Sequence, residues 1–92
     1  YKIFLRNYMN KAVLIQSYDW ETLYINGKAV LQGHTLNEGY DRGLFFNRLS
    51  KEYNFNLDDL KIGFVSDEYD NRSQLVGSFD NNLEDVEFKY VS

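Results

Sequence analysis

His34 is the chain's one histidine, and histidine changes charge nearest neutral pH. A general base of that kind needs a nucleophile or a water within reach. Ser17, Ser50, Ser66, Ser73 and Ser78 lie in no strand-to-helix elbow that would activate a hydroxyl. A small enzyme built on His34 is therefore the weaker reading. A ring that hydrogen-bonds backbone at a strand-to-helix corner is the stronger one. Zinc would have to be completed by carboxylates, because one histidine and no cysteine are present. Calcium is raised by Asp80, Asn82 and Glu84, which follow a D-x-N-x-E pattern, and by Asp67, Glu68 and Asp70, which crowd one stretch. Neither continues with the glycine and terminal glutamate of an EF-hand loop, so both read as solvated turns. Gly27, Gly33, Gly39 and Gly43 fit neither a phosphate loop nor a dinucleotide fingerprint. No cofactor and no metal is expected, and no catalytic residue is assigned.

Charge points elsewhere. Residues 1–54 carry seven Lys/Arg against five Asp/Glu, whereas residues 55–92 carry three against nine. The first part stands at +2 and the second at −6, within a total of −4. Such a half repels nucleic-acid phosphates and attracts basic surfaces. Lys2, Arg6, Lys11 and Lys28 lie near aromatics, but the acidic balance argues against direct nucleic-acid binding. The alternative is that these carboxylates merely keep edges and loops soluble.

The elements that would position these residues come from periodicity. The chain is one domain over 1–92, with 43% hydrophobic and 17% aromatic residues, too apolar for disorder. Leu23 and Ile25 alternate with Thr22 and Tyr24, and Ala29 and Leu31 with Val30 and Gln32, around Asn26-Gly27. That is a hairpin with a type I′ turn, which needs positive φ at both central residues. Lys11 to Tyr18 reads as a preceding strand, giving a meander. Trp20, the sole tryptophan, is either a binding anchor or a rim aromatic closing the meander against the helix. A helix is predicted over about Asn37–Asn54, or from near Tyr40 because Gly39 and Gly43 weaken its first turn, with Tyr40, Leu44, Phe45, Leu49 and Tyr53 on its inward face. Thr35 and Glu38 offer a capping box, and Asn37 a competing cap. Leu60–Ser66 reads as a strand in which Gly63 signals a bulge or a close approach. Asp67–Ser73 reads as a loop, Gln74–Phe79 as a short strand, Asp80–Asn82 as a turn, and Asp85–Val91 as a final strand. Tyr1–Tyr8 reads as an edge strand, or as an extension ahead of a natural start at Met9. The predicted order is β-β-β-α-β-β-β, an α+β antiparallel sheet of about five or six strands with one helix packed across it. No apolar run approaches the ~20 residues of a membrane span, and no signal peptide is visible. A cytoplasmic protein is the default expectation, and Asn71-Arg72-Ser73 is taken as a chance sequon.

Tyr18-Asp19-Trp20-Glu21, Leu23 to Lys28, Val30 and Gly33-His34-Thr35-Leu36 together resemble small uncharacterised proteins of phages and mobile elements with a DWxxLYxxGxxVxxGHxL-like hairpin. The resemblance covers about residues 9–36 and carries over no functional residue. It implies a context, the host cytoplasm, in which short acidic proteins inhibit host defence proteins such as CRISPR effector nucleases. The expected function is therefore a stoichiometric binder occupying a basic nucleic-acid groove. Asp67, Glu68, Tyr69, Asp70, Asp80, Glu84, Asp85 and Glu87 are its expected partner-binding residues. A self-associating structural or regulatory phage protein, pairing as a homodimer through the Asp85–Val91 edge, is the alternative.

Overall fold

The computed structural model describes residues 9–92, so both expectations for Tyr1–Tyr8 lie outside the described residues. Five strands, β1 (Ala12–Gln16), β2 (Glu21–Ile25), β3 (Lys28–Gly33), β4 (Lys61–Val65) and β5 (Phe88–Tyr90), form one sheet. Two helices, α1 (Arg42–Glu52) and α2 (Asp67–Val76), accompany them. The turn at Asn26-Gly27 takes φ of 51° and 83°, as its type requires. It sets the expected meander β1-β2-β3.

The sheet order is β3-β2-β1-β4-β5, and β1 pairs β4 in parallel. The fully antiparallel sheet predicted above is thus corrected to a mixed one. The cause is the single helix after β3. In a meander β3 runs the same way as β1, and α1 returns the chain to the far end of the sheet. β4 must then run with both of them, as a helical crossover dictates.

α1 starts at Arg42 rather than Asn37, because Asp41 is its cap: the Asp41 carboxylate accepts the Leu44 N–H at 2.9 Å. Gly39, at φ 85°, breaks the earlier turn. The inward stripe is centred on Phe46 rather than on Leu44. Phe46 and Leu49 are buried and Phe45 and Tyr53 partly so, while Tyr40 and Leu44 point to solvent.

A second helix replaces the predicted Asp67–Ser73 loop and Gln74–Phe79 strand. Ser66 caps α2 by accepting the Tyr69 N–H at 3.1 Å, and Asp67, Glu68 and Asp70 sit in its first turn, where the helix dipole favours negative charge. Gly77, at φ 90°, ends it with a bond from its N–H to the Ser73 carbonyl. The final strand shrinks to Phe88–Tyr90, because Leu83–Asp85 form a 3₁₀ turn and Val86 enters the core.

The two helices cover opposite faces. Ala12, Leu14, Leu23 and Ile25 meet Phe46 and Leu49 of α1 together with Phe55. Ile15 and Tyr24 face the other way, toward Val65, Tyr69 of α2, Phe79 and Val86. Every position of β2 is consequently buried. Gly63 is the close approach anticipated: a Cβ there would stand 2.6 Å from Phe88 Cδ2 and 2.9 Å from Ile15 Cδ1.

Candidate functional site

The eight residues expected to bind a partner separate into two groups. Asp67 and Glu68 are exposed on the first turn of α2, and Glu84, Asp85 and Glu87 are exposed on the segment leading into β5. The Ser66 N–H donates to the Glu87 carbonyl at 3.0 Å, which ties that segment to the start of α2. Among the described residues the one ion pair is Arg42–Glu21. None of these five carboxylates is therefore neutralised by a described neighbour.

The other three are turned to internal use. Tyr69 is only 4% exposed, which corrects its expected role at the surface. Its hydroxyl donates to Asp80 Oδ2 at 2.8 Å and accepts the Asp80 N–H at 2.9 Å. Burial, with Asp80 alongside, pushes that phenol up to about 12, so it stays a protonated donor. Asp80 remains solvent-exposed, but its carbonyl also accepts the buried Tyr24 hydroxyl at 2.7 Å. Asp70 is 9% exposed and lies in the wall of a cleft.

Sequence reasoning missed that cleft. It has a volume of about 310 Å³ and lies between the start of β2 and one side of α2. Trp20 and Phe79 supply aromatic walls, Asp70 and Gln74 the helical side, and Asp19 and His34 the loop side. Gln32 of β3 sets the position of the walls. Its Oε1 accepts from Trp20 Nε1 (3.1 Å), Thr22 Oγ1 (3.2 Å) and the Phe79 N–H (3.0 Å), while its Nε2 donates to the Phe79 carbonyl (3.3 Å). One side-chain amide thus pairs like a peptide with the segment after α2. No local pattern marks Gln32 for this task, because its partners lie up to 47 residues away.

His34 makes the backbone contact expected of it, with Nδ1 2.9 Å from the Asp19 carbonyl. A carbonyl only accepts, so neutral His34 carries its proton on Nδ1. The ring meets Trp20 edge to face at 5.3 Å. Trp20 is half-buried and packs against the core cluster on the α2 side, as a rim aromatic would, yet it also lines the cleft.

A second cleft of about 430 Å³ lies across Trp20 and His34 and includes Ser17, Glu21 and Arg42. Glu21 is buried and accepts from Arg42 Nη1 and Nη2, the Leu36 N–H and Gln16 Nε2. Burial alone would raise its pKa, but these donors, Arg42 foremost, hold the carboxyl below its usual range. A carboxylate so saturated has no spare lone pair for proton transfer. Among the described residues no group of three His, Asp or Glu side chains is placed to hold a metal, and no helix is long and apolar enough to cross a membrane. Set against protein-family models, curated proteins and solved structures, the chain matches none.

Proposed function

We propose that this chain is a stoichiometric interaction protein, not an enzyme, which seats its acidic surface on a basic surface of a partner protein. The observation that carries the reading is the set of five exposed carboxylates, Asp67, Glu68, Glu84, Asp85 and Glu87, with no described counter-cation. Such a surface accelerates encounter with a basic groove more than it tightens the final complex. The resemblance of residues 9–36 to phage proteins makes a host defence protein, such as a CRISPR effector nuclease with its basic nucleic-acid groove, the partner class we favour. The site of action would then be the host cytoplasm.

The test is charge reversal at exposed positions. Asp67→Lys, Glu68→Lys and Glu87→Lys together should weaken partner binding while circular dichroism shows the fold retained. Asp70 is left out because its burial would confound folding with binding. Unchanged affinity in the triple variant overturns the proposal. A second reading, self-association, is favoured by β5, an edge strand whose last residue, Tyr90, is exposed together with the following Val91. Solution mass across a dilution series separates it, since a heteromeric binder need not oligomerise.

A further inference from the structure

We infer that the cleft between Trp20 and α2 receives an arginine side chain presented by the protein partner. The inference rests on the reading of this chain as a binder of basic surfaces, and it names the chemistry of one contact. Asp70 is nine-tenths buried, and its carboxylate takes one side-chain bond, from the neutral Gln74 amide to Oδ2 at 3.2 Å. Oδ1 has no partner among the described residues and keeps contact with solvent, since Ser17 Oγ is the one buried side-chain polar atom left unpaired among them. No Lys or Arg lines the cleft. A carboxylate with one neutral donor and an oxygen still open can take a charge-assisted pair from an incoming cation.

The walls select its type. Trp20 is the aromatic that best attracts a cation to its ring face, and Phe79 adds a second apolar wall. A planar guanidinium stacks on an indole and forks a carboxylate at once, which a lysine ammonium does not. Asp19 at the loop side adds a second negative charge. The volume, about 310 Å³, sits at the small end of ligand sites and suits one side chain rather than a large cofactor.

Trp20 is the sole tryptophan and lines both this cleft and the one with Glu21 and Arg42. Its emission is therefore read together with Asp70→Asn, which alters this cleft and not the other. The probes are N-acetyl-argininamide, its uncharged near-isostere N-acetyl-citrullinamide, and N-acetyl-lysinamide. The arginine probe should change Trp20 emission saturably. Citrulline should bind at least about tenfold more weakly, with lysine between them. Asp70→Asn keeps an acceptor for Gln74 and should weaken arginine binding by at least about tenfold, with a melting curve verifying its fold. Equal response to citrulline, an unaffected Asp70→Asn, or no saturable change with arginine would each overturn the inference. The triple reversal at Asp67, Glu68 and Glu87 discriminates the two proposals. If it abolishes partner capture while the cleft shows no arginine response, only the cleft reading falls. If Trp20 titrates with arginine but partner affinity ignores the reversal, only the acidic-surface reading falls.

Discussion

Replacing Gln32 by Met keeps the size and removes the acceptor on which three donors converge. Two of them, the Thr22 hydroxyl and the Phe79 N–H, belong to residues that are 0% and 3% exposed. Each would be left buried and unpaired, at about 1–3 kcal/mol apiece. The Trp20 N–H is half-buried, so water can replace part of its lost bond and its share is smaller. The total comes to about 3 kcal/mol, which for a domain of this size lowers Tm by about 12–24 °C. Gln32→Glu keeps the acceptor but sets a carboxylate oxygen against the Phe79 carbonyl, so it should also destabilise at neutral pH and recover in part on acidification, when the carboxyl becomes a donor. Thermal and urea unfolding followed by circular dichroism measure both. Trp20 emission should shift to the red in the Met variant as the indole loses its anchor. A Met variant that melts within about 4 °C of the parent would refute the latch, because that corresponds to about 1 kcal/mol or less.

The remaining predictions concern the frame around the cleft. The Glu21 carboxyl is held below its unfolded value, so the stability it contributes is present above about pH 4.3 and is lost as pH falls through the folded pKa. Glu21→Gln should flatten the acid limb of a stability-against-pH curve, and an unchanged limb contradicts the assignment. Arg42→Ala strands that carboxylate in the interior and should cost about 2–4 kcal/mol in urea unfolding, below the fully buried case because the guanidinium side chain is 43% exposed. Gly63→Ala drives a methyl into Phe88 and Ile15 and should cost about 1–3 kcal/mol. Trimming Phe88 to Leu in the same chain should recover part of that, a coupling that a double-mutant cycle reads directly. Ser66→Ala removes the α2 cap and should cost about 1 kcal/mol. No change in Tm would leave α2 held by its other contacts alone.

The hairpin was legible because Asn26-Gly27 can satisfy a backbone demand that few residue pairs can. Gly63 was legible for a similar reason, since a glycine inside a strand needs a neighbour that fills its missing side chain. α2 was not legible from apolar periodicity, because it turns in only Tyr69, Asp70 and Ser73 and leaves Leu75 90% exposed. Its caps did carry a signal: a Ser66 start, three acids in the first turn and a Gly77 stop. The parallel β1–β4 pairing was also implicit, because one helix after a three-strand meander returns the chain in the direction of β1. In the acidic stretch, charge alone identified exposed Asp67, Glu68, Glu84, Asp85 and Glu87, but it could not separate them from Asp70, which helical phase turns inward. The cleft was beyond local reading, because Gln32 joins β3 to Phe79 through bonds that exist only once the sheet and α2 are assembled.

The most direct measurement is the association rate between this chain and a protein partner that binds it, followed across ionic strength. Raising salt from about 0.05 to 0.3 M shortens the screening length enough to mute contacts between exposed charges. We expect the association rate to fall steeply while dissociation changes little, with the triple reversal at Asp67, Glu68 and Glu87 slow at every salt concentration. An association rate indifferent both to salt and to the reversal would contradict the acidic surface as the means of recognition.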